Sequence, residues 1–189
     1  MTIYDKSKSG FTIVELLIVI VVIGILAAIT IVAYNGIQSR GRDANINATA
    51  NQIQKSVQLW YLDTGILPVA GYGSTGAAVN DACPGNTTAS GGWFQSGSYA
   101  CSMQDLLKAR GYMTNNLLSS LPKNTVTGTA GTVFMFYPCG ANRSILIWSL
   151  ENPSASESSN YTANMATCGL SAGSYTAGYG MRASAIISY

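Results

Sequence analysis

Few residues in this chain have the chemistry to do more than pack, and Glu15 is the first of them. It lies inside SGFTIVELLIVIVVIGILAAI, and from Leu16 to Ser39 no other charge occurs. A carboxylate in an apolar run is costly to place in lipid and gives a plain membrane anchor nothing. Its presence implies that something meets it there. The other acids of the second half, Asp81, Asp105, Glu151 and Glu157, are scattered rather than clustered. Calcium needs six or more oxygen ligands gathered together, so no metal site is expected.

The chain has no histidine. That removes the usual general base, the Ser-His and Cys-His nucleophile pairs and the commonest metal ligand. No enzyme activity and no cofactor are expected. The four cysteines, Cys83, Cys101, Cys139 and Cys168, include no C-x-x-C pair, which disfavours zinc. An even count beyond an apolar segment points to disulfides in an oxidising compartment. The simplest of the three pairings joins neighbours, Cys83 with Cys101 and Cys139 with Cys168. Net charge is only +2, from ten basic and eight acidic residues, so nucleic acid is not an expected partner. Trp93, Phe94 and Tyr99 have rings that stack on bases in other settings. No basic cluster accompanies them, and packing is the expected role. Asn47, Asn86, Asn142 and Asn160 begin N-x-S/T triplets, at a frequency expected of a chain rich in Asn, Ser and Thr.

The elements that position these residues follow from the pattern. Leu16 to Ala33 is an apolar run near the lower length for a spanning helix, and Phe11 to Val14 with Tyr34 lengthen it. In lipid the backbone must satisfy itself, so the run is helical despite its Ile and Val content. Past Arg40 the pattern changes. Ile46, Ala50, Ile53, Val57 and Trp60 recur at helical spacing, which predicts an amphipathic helix with one buried stripe. Gly65 and Pro68 end it. A single helix from Phe11 to about Thr64 is thus expected. A Gly- and Ser-rich loop then carries Cys83 and Cys101. SMQDLLKAR predicts a short helix capped by Gly111. TVFMFYPCG and RSILIWSLEN predict two strands about a GAN turn, and MRASAIISY a last strand. Residues 153–180 read as loop. Strand residues Phe134, Phe136, Ile145 and Ile147 are the expected cover for the helical stripe. The fold class is α+β, a long helix packed on a small antiparallel sheet.

Residues 10–34, GFTIVELLIVIVVIGILAAITIVAY, closely resemble the amino terminus of type IV pilins and pilin-like proteins. In that family a short basic leader ends in glycine, a prepilin peptidase cuts after it, and the new terminal residue is N-methylated. The matching positions are Gly10 and Phe11, with Glu15 as the fifth residue of the mature chain. One departure is Val32, where many members carry a proline linked to local melting of the helix. The resemblance implies a prepilin leader at 1–10 and a hydrophobic transmembrane and assembly half of the helix at 11–39. The amphipathic half follows at 40–64, and a globular head with loop and sheet at 65–189. It implies a structural filament subunit, with a minor pilin or a pseudopilin (adhesion, DNA uptake, type II secretion) as the alternative. Expected partners are further copies of the chain, the prepilin peptidase and methyltransferase, the inner-membrane assembly machinery and, before assembly, the membrane. Expected locations are the cytoplasmic membrane, as a single-pass protein with its carboxy-terminal domain outside, and then a cell-surface filament. The resemblance implies that cleavage creates a positive amine on Phe11, and that in a bundle of staggered helices that amine, or a neighbour's, sits beside Glu15.

Two other readings of the amino terminus fit less well. A secretory signal peptide lacks a good cleavage site after the run, and a signal anchor leaves Gly10, Phe11 and Glu15 together unexplained. Intact mass of the purified protein separates them. A chain of residues 11–189 carrying one added methyl group is expected, whereas a terminus at Met1 or near Tyr34 refutes the pilin-type leader.

Overall fold

The structure, a computed structural model, describes residues 10–68, 94, 102–114, 117–118, 121, 134–140 and 142–189. Cys83, Cys101, Trp93, Tyr99, Asp81 and Asn86, and with them the Cys83–Cys101 pairing, lie outside the described residues. The chain divides into two compact units, Met1–Ser39 and Arg40–Tyr189. Helix α1 (Ile13–Thr64) begins in the first unit and ends in the second. It runs without interruption through Gly24 and Val32.

In the second unit α1 buries its stripe. Ile46, Ala50, Ile53, Val57 and Trp60 are all at most 4% exposed. The helix stops where the sequence says it should. Gly65 takes a left-handed φ of +67°, and its N–H donates to the Tyr61 carbonyl at 2.8 Å. Helix α2 (Met103–Ala109) starts on a capping box, with Ser102 accepting from the Asp105 N–H and the Asp105 carboxylate accepting from the Ser102 N–H. Its Met103, Leu106 and Leu107 join the core formed by the α1 stripe.

Three strands follow: β1 (Phe134–Pro138), β2 (Arg143–Ser149) and β3 (Met181–Ser188), antiparallel and in the order β1-β2-β3. Register assigns the faces. Phe134 lies opposite Trp148 and Phe136 opposite Leu146, and these four pack with the α1 stripe. Met135 lies opposite Ile147 and Tyr137 opposite Ile145, so Ile145 and Ile147 point to the other face. The expectation that Ile145 and Ile147 cover the stripe is therefore corrected to Leu146 and Trp148. A strand exchanges its whole inward set with each one-residue step, and an all-apolar strand gives no alternation from which to choose.

That second face is covered by helices where the composition of residues 153–180 predicts loop. Between β2 and β3 the chain forms α3 (Ala155–Thr167) and α4 (Ala172–Tyr179). The α3 sequence is mostly Ser, Asn and Thr, residues that bond locally and weaken helix propensity. Three features hold the helix in place. Ser154 and Glu157 form a capping box at its start. Tyr161 and Met165, one turn apart, are buried against Met135, Ile145, Ile147 and Met181. Cys168, its C-cap residue, is disulfide-bonded to Cys139 beside the β1–β2 turn, with 4.8 Å between Cα atoms. Closing a loop of 29 residues is worth about 3–4 kcal/mol in the chain-entropy model. Gly180, at φ +65°, ends α4 and starts β3.

Polar tethers fasten α1 to the β2–α3 connection. The Arg42 guanidinium donates to both Glu151 oxygens at 2.8 and 2.6 Å, and this pairing holds the Glu151 carboxyl below its ordinary range. Asp43, buried, accepts from the Glu151 and Asn152 backbone N–H groups, each at 2.8 Å. Asn47 accepts from the Trp148 indole N–H and donates to Glu157, both at 2.8 Å. The Asn47 triplet is thus committed to packing, with Thr49 buried beside it. The carboxy terminus is also tied in. Tyr189 stacks on Tyr61 with 4.4 Å between ring centroids, and its hydroxyl bonds Ser144. Burial pushes that hydroxyl up to about 12.

Trp60 is the largest side chain of the stripe, 1% exposed, with the Tyr112 ring edge-on at 5.8 Å and the Arg110 guanidinium at 5.2 Å. Its indole N–H has no acceptor among the described residues. Trp60→Ala is therefore expected to lower stability by about 3–5 kcal/mol. Trp60→Phe should lose far less, because no hydrogen bond goes with the indole. Denaturant unfolding of the full chain in detergent measures both, and equal losses would show that the indole N–H is satisfied.

Candidate functional site: the amino-terminal helix

The residues singled out at the amino terminus sit together around the first turn of α1. Gly10 and Phe11 precede the helix, and Phe11 is 84% exposed. A Cβ built on Gly10 would meet no atom of the described residues within 4 Å. Thr12 occupies the N-cap position. Its Oγ1 accepts from the Glu15 N–H at 3.3 Å, and the Glu15 carboxylate accepts from the Thr12 N–H and Oγ1–H, each at 2.8 Å. This is a capping box, and it places negative charge at the positive end of the helix. The signal was legible as T-x-x-E in front of an apolar run, and reading Glu15 only as a partner for another charge missed it. The carboxylate thus has a local role, accepting from the N–H and hydroxyl of the N-cap Thr12.

The remainder of the first unit is apolar outward. Ile13, Leu16, Leu17, Ile20, Ile23, Leu26, Ile29 and Ile31 are all exposed. Thr30 donates its hydroxyl to the Leu26 and Ala27 carbonyls at 3.0 and 2.9 Å, so that side chain too is satisfied within the helix. Among the described residues α1 is the one helix long and apolar enough to cross a membrane, with an 18-residue window of mean hydropathy 3.3.

Other candidate residues are placed elsewhere. Phe94, weighed as a base-stacking ring, is buried edge-on to Phe134 at 6.3 Å and donates its backbone N–H to the Phe134 carbonyl. Asp105 and Glu157 close helix caps, and Glu151 pairs with Arg42. Among the described residues no three Cys, Asp or Glu side chains gather as metal ligands would. Cys139 and Cys168 are bonded to each other and belong to the fold of the second unit.

The pattern described as the prokaryotic N-terminal methylation motif matches residues 5–31, which spans Gly10, Phe11 and Glu15. Over 61 residues the chain is 38% identical to the type IV major pilin protein PilE of Neisseria gonorrhoeae, covering 32% of this chain and 36% of that protein. It is 39% identical over 61 residues to the fimbrial protein EcpC of Eikenella corrodens, covering 32% of this chain and 40% of that one. Over these matched residues the chain is similar to type IV pilin and fimbrial proteins. The match spans roughly a third of the length of these pilin and fimbrial relatives, none of which is named as an enzyme. No solved structure matches the chain. Among the described residues, the geometry offers an exposed Gly10–Phe11 bond ahead of a helix whose first turn is capped by its own carboxylate.

Because a Cβ at Gly10 meets no atom of the described residues within 4 Å, Gly10→Val is expected to leave the described fold intact. Any effect must arise where another protein grips the chain. Gly10→Val is expected to accumulate at normal level in the membrane fraction with the leader attached, as read by intact mass. Normal cleavage in that variant would show that Gly10 is not a recognition residue.

Proposed function

We propose that this chain is a structural subunit of a type IV pilus-like extracellular filament, cut after Gly10, methylated on the Phe11 amine and assembled through its amino-terminal helix. One observation carries the reading. A Gly10–Phe11–Glu15 start opens a helix whose apolar side chains, from Ile13 to Ile31, have no cover in their own unit. Fully burying a Val, Leu or Ile side chain is worth about 1.5–3 kcal/mol, so such a surface does not stay in water. Lipid covers it first, with the second unit outside the membrane. The Cys139–Cys168 bridge suits that oxidising side.

Lipid satisfies apolar side chains as well as another helix does, so apolar area alone does not drive helices from membrane to polymer. Glu15 supplies the missing preference. In the single subunit its charge is capped but not neutralised, in a segment otherwise without charge up to Arg40. Cleavage gives each subunit a positive amine at Phe11. In a staggered bundle that amine neutralises the Glu15 carboxylate of a neighbour, and the pair also sets the register, as one buried polar residue does in a coiled coil. The Thr12 cap holds the Glu15 side chain at the first turn, next to the new terminus. The partners this requires are a prepilin peptidase and methyltransferase, an inner-membrane assembly machine and many copies of the same chain.

Glu15→Val separates assembly from insertion. It is expected to be made, inserted and cleaved, and to remain in the membrane pool with filament yield reduced at least tenfold. Glu15→Asp should fall between, since the charge remains and the reach is shorter. Shearing filaments from cells and immunoblotting them against the membrane pool reads both, and mass spectrometry of the sheared material identifies the main subunit. Normal filament yield from Glu15→Val would remove the mechanism.

A further inference from the structure

The assembly reading leaves a groove in the second unit unused. It has a volume of about 760 Å³ and lies between α3 and α4, at the start of β3. Ser158 and Thr162 of α3 form one side, and Ala172, Gly173 and Ala177 of α4 form the other. Arg182 of β3 is the one charged residue lining it.

Arg182 is there because the sheet is irregular at that point. Trp148 pairs with Ala183 and Ser149 with Met181, so Arg182 is an extra residue with no partner on β2. Bulges of this kind re-aim a side chain. Ala183 packs toward α1 and Met181 toward α3, and Arg182 between them turns into the groove. Its Nη1 donates to the Glu151 carbonyl at 3.2 Å, which steadies the guanidinium without neutralising it. Among the described residues no side-chain carboxylate forms an ion pair with it. Glu151 is held by Arg42, Asp43 by two backbone N–H groups, Glu157 by Ser154 and Asn47, Asp105 by Ser102, and Asp63 by the Tyr112 hydroxyl.

The α3 side supplies acceptors at a fixed spacing. Ser158 and Thr162 each donate their hydroxyl hydrogen to the carbonyl one turn back, at 3.1 Å, so toward the groove their oxygens only accept. One helical turn of four residues separates them by about 6 Å. An extended peptide presents N–H groups along one edge every two residues, about 6.7 Å apart. The small α4 side chains leave room for a backbone. Tyr161, the one aromatic residue of the lining, is buried, which removes the ring on which a sugar would stack.

We propose that the α3–α4 groove docks an extended peptide segment carrying an acidic side chain, with its N–H groups on Ser158 and Thr162 and its carboxylate on Arg182. The probe is a fluorescein-labelled peptide, Ser-Ala-Asp-Ala-Ser-Ala, titrated against the full chain in maltoside micelles with its disulfide intact and followed by anisotropy. Saturable binding is expected, about tenfold tighter than for the Asn counterpart and weakening as salt is added. Arg182→Gln should cost about tenfold in affinity and Arg182→Lys less, because a point charge replaces the fork. Gly173→Leu should abolish binding by filling the groove. That site has ordinary φ and no atom within 4 Å of the added Cβ, so the fold is expected to persist, as read by its melting. Equal affinity for the Asn peptide, or full binding by Arg182→Gln or Gly173→Leu, overturns the proposal. Preferential binding of an oligogalacturonate overturns the peptide assignment. The measurement is made on single subunits, so its outcome is independent of filament assembly.

Discussion

A three-stranded sheet whose central strand is buried on both faces must be covered twice, and the architecture of the second unit follows from that requirement. Ile145, Leu146, Ile147 and Trp148 of β2 are all buried, two toward each side. The amphipathic half of α1 covers the Leu146 and Trp148 face. The other face is left to a chain segment poor in apolar residues, which needs a capping box, two inward side chains and the Cys139–Cys168 bridge to stay there. The hydrogen bonds that Asp43 accepts from the β2–α3 connection and Asn47 from the Trp148 indole join the two coverings, because the same connection that leaves β2 is gripped by α1.

The first unit is organised on the opposite principle. Its polar side chains are satisfied locally, Glu15 with Thr12 and Thr30 with the carbonyls one turn back, while its apolar side chains are satisfied by nothing in the unit. Such a helix is suited to lipid and to other helices of the same kind, and the one charge it carries gives those two environments different energies. The capping role of Glu15 and its proposed role in the polymer do not compete. A cap needs the carboxylate oxygens near the first-turn N–H groups, and an amine arriving at the same helix end adds to a charge already held in place.

Much of this was legible in the residues alone. The apolar run, the change at Arg40, the stripe from Ile46 to Trp60, the Gly65 stop, the short α2 and the three strands all rest on periodicities and turn residues that act over a few positions. The methylation-motif match over residues 5–31 is likewise local and needs no tertiary contact to be read. The Thr12 cap is equally local, a T-x-x-E in front of an apolar run.

What could not be read depends on contacts between distant residues. Which side chains of β2 face α1 is a matter of register, and four consecutive apolar residues are compatible with either choice until Phe134 pairs with Trp148. Helices α3 and α4 are weak in propensity and gain their stability from the sheet beneath them, so their own composition reads as loop. The Arg42–Glu151 pair and the Asp43 contacts span more than a hundred positions. Arg182 enters the groove only because β3 bulges where it meets the end of β2. Short-range pattern decides which elements form, whereas pairing across the sheet decides which faces meet, since β1 and β2 each offer two faces of nearly equal apolar character and only the assembled core distinguishes them.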